Sequence, residues 1–252
     1  MIKVSIIIPY RNNINYIFDA LKSIFNQKKF KEYEIIIIYD DKKLYDLKKI
    51  KKFIKKKNNI KIIVNKKNLG AGQSRNIGIN KSKGKYISFL DSDDYWDRNK
   101  LFIQYNCMEK KRLIFSHTQF KIINKDKKFL SYSKSKTIKN FNELIKSCDI
   151  GLSTVMIKSH FLKKNYLKFP RIKTKEDFVL WLRIAKKFKK KDQFYCIDRP
   201  LSNYRKLPNS LSSNLFLKFL NGYSVYRKYL KYNFFKSIYY LFVMSFNYVK
   251  KR

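Results

Sequence analysis

The sequence predicts an α/β fold with a mostly parallel central sheet and helices on both faces. Three observations carry that expectation. Short β-branched apolar runs recur in the first part of the chain, segments of helical periodicity separate them, and acidic or glycine-bearing clusters end several of the runs. Val4 to Ile8, closed by Pro9, reads as a buried parallel strand. Ile14, Ile17, Leu21, Ile24 and Phe25 then recur at helical spacing. Ile35 to Tyr39 reads as a second strand, ending at Asp40 and Asp41. Leu44, Leu47, Ile50 and Ile54 mark a Lys-rich amphipathic helix, and Ile60 to Val64 reads as a third strand. A turn-rich loop leads to a helix over Ala71 to Asn80, and Tyr86 to Leu90 reads as a fourth strand, ending at Asp91-Ser92-Asp93-Asp94. Right-handed crossovers bring the carboxyl ends of such strands to one edge, where ligands bind.

The second half is less regular. Leu113 to Phe120, Phe129 to Tyr132 and Thr154 to Ile157 read as strands, and Glu176 to Phe188 as a helix with its acids in the first turn. From Leu215 onward the chain is rich in Tyr, Phe, Leu and Lys and contains no Asp or Glu.

Composition bounds the function. The 252 residues carry a formal net charge of +41, which points to an anionic partner: nucleic acid, an acidic lipid surface or a phosphorylated substrate. Lys, Ile, Asn, Phe and Tyr are abundant together, as AT-rich coding would produce, so most lysines read as solvated surface. Cys107, Cys148 and Cys196 are far apart and odd in number, which fits a reducing cytosol better than a disulfide framework. His117 and His160 are isolated, so no His/Cys zinc site is legible. The first residues lack a signal-peptide pattern, and no stretch approaches the roughly 18 apolar residues that a spanning helix needs.

Four clusters bear chemistry. Asp91, Asp93 and Asp94 follow a buried strand and repel one another unless a cation lies between them, and a divalent ion held with substrate phosphates is the natural neutraliser. The plain alternative is an Asp/Ser turn in which Ser92 or Asp94 caps the next helix. A carboxylate at Asp40 or Asp41 can accept a hydrogen bond from a base or a ribose hydroxyl. Arg75 lies in the segment NLGAGQSRNIG and can fork onto phosphate oxygens or a base edge. Neither a P-loop nor a GxGxxG fingerprint is present. Glu176 or Asp177 can serve as a general base. Trp181, at helical spacing, reads as core.

Six segments occur in order: VSIIIPYRN, EIIIIYDD, NLGAGQSRNIGINKSKGKYISFLDSDDYW, STVMIKSHFL, KEDFVLWLRIA and PLSNYRKLPNSLS. Together they resemble the family 2 glycosyltransferases with the GT-A fold, of the bacterial surface-polysaccharide type, from the first strand to about Ser212. The resemblance implies a Rossmann-like sheet flanked by helices and transfer of one sugar, with inversion, from a nucleotide-sugar, UDP by family preference, to a glycan or lipid-linked acceptor. It implies that Asp91 and Asp93 bind Mn2+ or Mg2+ on the donor diphosphate. It places Pro9, Asp40 or Asp41, Arg75 and Asp91 at the donor, and Asp177 as catalytic base with Glu176 beside it. Two departures stand out. The usual DDGS turn is DDKK here, and Arg11 takes a usual aromatic position after Pro9-Tyr10. The QxxRW motif of processive synthases is absent.

The expected organisation is a nucleotide-sugar half over residues 1–105, an acceptor half of the same domain over 106–213, and a basic aromatic helical tail over 214–252. In the tail, Lys218, Arg227, Lys228, Lys231, Lys236, Lys250, Lys251 and Arg252 interleave with aromatic residues, while Tyr239, Phe242, Val243, Phe246 and Val249 share a helical face. That composition suits a helix lying on an anionic bilayer, and also one packed on the catalytic domain. The expected location is cytoplasmic, peripheral at the inner membrane face. Two other functions fit parts of the sequence. A basic nucleic-acid-binding protein fits the charge, but no RNP, KH or zinc-finger pattern is present and the partner expectation excludes nucleic acid. A sugar nucleotidyltransferase would release pyrophosphate instead of a nucleoside diphosphate.

Overall fold

A computed structural model describes the chain except residues 148, 191, 209–214 and 251–252, with backbone alone for 215–218 and 248–250. The end of the PLSNYRKLPNSLS segment, Cys148, Lys251 and Arg252 therefore lie outside the described residues, as do the side chains of Lys218, Val249 and Lys250.

The strands are β1 (Val4–Tyr10), β2 (Tyr33–Tyr39), β3 (Ile60–Val64), β4 (Tyr86–Phe89), β5 (Tyr95–Trp96), β6 (Phe115–Ile123), β7 (Phe129–Tyr132), β8 (Met156–Lys158) and β9 (Phe194–Arg205). The α-helices are α1 (Ile14–Phe25), α2 (Leu44–Ile54), α3 (Ala71–Lys81), α4 (Lys100–Lys110), α5 (Phe141–Leu144), α6 (Ser159–Lys164), α7 (Glu176–Ala185), α8 (Leu215–Ser224) and α9 (Phe234–Lys250). One sheet runs β3-β2-β1-β4-β8-β6-β9-β5, with β7 paired to β6. The first four strands are parallel, β8 joins β4 and β6 antiparallel, and β9 again runs parallel to β6. The sheet thus continues across the boundary between residues 105 and 106.

Alternation within β1 explains the layering. Val4, Ile6, Ile8 and Tyr10 pack against α1, β2 and α2, whereas Ile7 faces the other layer with Ile79, Phe89, Phe178 and Trp181. Every residue of β1 is buried, as a central parallel strand requires. At Gly78 of α3 a Cβ would lie 2.5 Å from Ile7 Cγ2, so the helix reaches the sheet only because this position has no side chain.

The second half departs from the expected boundaries. The strand expected at Leu113 to Phe120 is Phe115–Ile123, carried further by its long pairing with β9. Ser153 and Thr154 lie in a short 3-10 turn, so β8 begins at Met156. The α7 helix stops at Ala185, three residues before Phe188. Trp181 is fully buried core, as expected. Among the described residues no helix is long and apolar enough to cross a membrane.

Candidate active site

The carboxyl ends of β1, β2 and β4 bring Pro9, Asp40, Asp41 and the acidic turn to one edge of the sheet. Asp40 is buried and does local work. Its carboxylate accepts from Asn65 Nδ2 at 2.7 Å, Asn68 Nδ2 at 3.2 Å, Leu69 N at 2.9 Å and Gly70 N at 2.8 Å. It thereby fixes the loop that leads into α3. Asp41 is more open, accepting from Asn12 N at 2.6 Å and Lys43 N at 3.1 Å. Tyr10 points into the core, stacks on Tyr39 and donates to Asp46 at 2.8 Å, while Arg11 is exposed.

Arg75 is the hinge of the site. The side chain is only 4% exposed and donates to Asp91 Oδ1 at 2.6 Å and to Glu176 Oε1 at 2.8 Å. Burial opposes its charge, but Asp91 and Glu176 more than offset that, and the guanidinium stays protonated. Its fork is thus shared between carboxylates from distant parts of the chain. The sequence brought Arg75 toward a phosphate or a base; the structure seats it between two of the other site residues.

The loop before α7 is clasped to α3. Phe169 N donates to Asn76 Oδ1 at 2.9 Å, and Asn76 Nδ2 donates back to Phe169 O at 2.9 Å. A Cβ at Gly72 would sit 3.2 Å from Glu176 Cγ, so a glycine permits this approach. Lys175 adopts a left-handed conformation with φ 65°, turning the chain directly into the first turn of α7. Asp177 lies there with its Oδ1 accepting from Phe178 N at 2.7 Å. Burial raises the Asp177 carboxyl above the ordinary range, against the pull of the Phe178 N–H and Lys175. Burial also raises Glu176, although Arg75 pulls the other way. Glu176 spends a carboxylate oxygen on Arg75, whereas Asp177 makes no ion pair among the described residues.

The acidic turn separates its three carboxylates. Asp94 is buried and accepts from Ser153 Oγ at 2.6 Å and from Arg205 N at 2.9 Å, so it holds the turn in place and caps no helix. Burial raises its carboxyl well above the ordinary range. Asp93 is pushed up to about 6, first by burial and then by the charge of Asp91, and forms no ion pair among the described residues. No three His, Cys, Asp or Glu side chains converge there among the described residues. Two neighbouring carboxylates, one of them raised by the charge of the other, still suit a hard divalent ion, which takes one or two protein carboxylates and completes its shell with phosphate and water oxygens.

Sequence reasoning missed Ser153 and Arg205. Ser153 Oγ also accepts from Asp91 N at 3.1 Å. Arg205, 2% exposed, donates from Nε to Asp93 O at 2.9 Å, from Nη1 to Lys125 O at 2.8 Å and from Nη2 to Asp19 Oδ2 at 2.9 Å. Both stand within those six segments, but their meeting with a turn 59 and 111 positions away leaves no local trace. A neighbouring cleft of about 250 Å³, lined by Asp19, Ser23, Tyr95 and Lys127, contains none of the clustered carboxylates of the turn.

The model of glycosyl transferase family 2 matches residues 5–168. The chain belongs to glycosyl transferase family 2. It is 30% identical over 253 residues to the putative teichuronic acid biosynthesis glycosyltransferase TuaG of Bacillus subtilis, covering 99% of this chain and 97% of TuaG. It is 32% identical to WfgD of Escherichia coli, a UDP-Glc:alpha-D-GlcNAc-diphosphoundecaprenol beta-1,3-glucosyltransferase, over 94% of this chain and 90% of WfgD. An uncharacterized glycosyltransferase of Rickettsia bellii is 39% identical over 73% of this chain, which spans only 26% of that longer protein. The structure of S. aureus TarS 1-349 with UDP-GlcNAc superposes with a TM-score of 0.74 at 22% identity, over 90% of this chain and 65% of that one. That likeness gives this family member the GT-A fold.

Proposed function

We propose that this glycosyltransferase moves one sugar from a nucleotide-sugar, a UDP-sugar foremost, to a glycan or lipid-linked acceptor in surface-polysaccharide synthesis, with inversion. The observation that carries the proposal is the Arg75 bridge, which ties the acidic turn to the first turn of α7, beside Asp177. Donor-side carboxylates and a base candidate thereby share one edge. In this reading residues 1–105 hold the donor and residues 106–213 the acceptor.

Asp41, more open than Asp40, meets the base or ribose, Pro9 stands one residue before the carboxyl end of β1, and Asp40 shapes the wall by holding the 65–70 loop. Asp91 and Asp93 would hold Mn2+ or Mg2+, which would supply Lewis-acid stabilisation of the diphosphate charge. Asp177 accepts the acceptor hydroxyl's proton on the carboxylate oxygen not bound to Phe178 N. The hydroxyl oxygen then bonds to the anomeric carbon as the bond from that carbon to the diphosphate oxygen breaks. The nucleoside diphosphate leaves with the electron pair, and a single displacement inverts the centre. Glu176, engaged by Arg75, orients the guanidinium and leaves proton transfer to Asp177. WfgD's lipid-diphosphate acceptor supports a lipid-linked acceptor here, hence work at the inner face of a membrane.

Thermal shift against UDP, GDP, CDP and dTDP, each with and without Mn2+, tests the donor site. A metal-dependent rise with one nucleotide, lost in Asp93→Ala, is the expected result. No rise with any nucleotide in folded protein would overturn the reading.

A further inference from the structure

The α9 helix has two apolar faces, and only one of them is covered. Ser237, Leu241 and Met244 are buried against the domain. The helix is pinned where Asn247 Nδ2 donates to Lys146 O at 2.9 Å, and its buried Met244 Sδ lies 3.6 Å from the hydroxyl of Tyr226, which itself donates to Ile145 O at 2.8 Å. On the opposite side Phe235 is 81% exposed, Tyr239 59%, Phe242 62% and Phe246 68%. Their spacing of four, three and four residues makes one continuous helical stripe. Phe234 on α9 and Phe219 and Leu220 on α8 are also exposed. A run of exposed aromatic rings this long costs free energy in water and marks an interaction surface.

Charge identifies the occupant. Residues 199–252 contain no Asp or Glu. Arg227, Lys228, Lys231 and Lys236, in and just before α9, are exposed. Two copies of such a face would repel each other, and an acid-free aromatic surface suits anionic headgroups, with the rings entering the headgroup–acyl boundary. We infer that the Phe235–Tyr239–Phe242–Phe246 stripe docks the protein on an anionic lipid bilayer. The inference deepens the lipid-linked acceptor reading and rests on it: a docked catalytic domain meets an acceptor whose lipid end is held in the same membrane. Because the buried face of α9 anchors the helix, docking requires no refolding of the tail.

The test is flotation of the full chain with two vesicle types, phosphatidylcholine alone and phosphatidylcholine with phosphatidylglycerol in equal parts. Two variants accompany it: Phe235→Ser/Tyr239→Ser/Phe242→Ser/Phe246→Ser, and Lys231→Glu/Lys236→Glu. Wild type is expected to float with the anionic vesicles, and each variant to lose about tenfold in partitioning. The metal-dependent nucleotide shift, measured on the same preparations, is expected to remain. Equal flotation of wild type and aromatic variant, flotation independent of phosphatidylglycerol, or a wild-type dimer that the aromatic variant converts to monomer would each overturn the inference. A retained nucleotide shift with no wild-type flotation rejects the docking surface alone. Loss of the nucleotide shift in wild type rejects the donor reading instead.

Discussion

In the proposed division of the chain, buried groups of the donor half and the base candidate of the acceptor half, Asp177, are held in opposite ways. In the donor half three buried charged groups have several fixed partners: four donors on Asp40, two on Asp94, two carboxylates on Arg75. In the acceptor half Arg205 is wired in the same manner, but Asp177 has one neighbouring N–H, and neither ring nitrogen of buried His117 has a well-formed hydrogen bond among the described residues. Fixed partners preorganise a site for a constant ligand, which in the proposed reading is the nucleotide diphosphate. Sparse partners leave a carboxylate free to change protonation, which a base must do, and let the surrounding wall vary with the acceptor.

The largest expected effect lies on Asp177. Asp177→Asn should lower turnover by about a thousandfold while keeping the nucleotide-induced thermal shift. Glu176→Gln should cost less, and the reverse ranking in steady-state assays would move the base to Glu176. Because burial raises the Asp177 carboxyl, the acid limb of the turnover–pH profile should fall at a higher pH than an ordinary carboxylate gives.

Next comes the wired side. Asp94→Ala strands the Arg205 N–H and the Ser153 hydroxyl, and should cost about 3 kcal/mol in denaturant unfolding. A cost near that of an ordinary surface change would erase the contrast between the halves.

His117 offers a smaller test from the other side. Burial lowers its pKa to about 4, below the unfolded value, so its neutral form is the folded form. The unfolded chain then binds the proton first as pH falls. Stability should be fully present above the unfolded pKa and should decline by on the order of 2 kcal/mol between neutrality and roughly pH 5. In His117→Leu that share of the decline should vanish from the pH dependence of the unfolding midpoint. The smallest effect belongs to Lys175, whose left-handed φ of 65° costs a non-glycine residue. Lys175→Gly should raise stability by up to about 1 kcal/mol, read as a higher midpoint.

Legibility in the sequence follows the same divide. The α1 and α2 helices and β3 match their expected bounds, and β1, β2, α3 and β4 fall within two residues of theirs, because each obeys a single period and ends at a turn residue. In contrast, β9 carries Pro200 and shifts register against β6 on both sides of Gln119, so it never shows a clean alternation. The acidic turn, Arg75 and the Glu176-Asp177 pair were legible as residues. Their mutual contacts were not, since Arg75 reaches Glu176 across 101 positions. Asn65, Asn68, Ser153 and Arg205 were invisible for the same reason: a hydrogen bond between distant loops has no periodicity.

One guanidinium shared by two carboxylates is also a balance. Whatever draws Asp91 away from Arg75 changes what Arg75 can give Glu176, and so alters the field around the helix that carries Asp177. Linkage makes such an exchange symmetric: an occupant at either end is felt at the other with the same free energy. In the proposed reading, this single buried side chain lets the two substrates of the transfer sense each other before they touch.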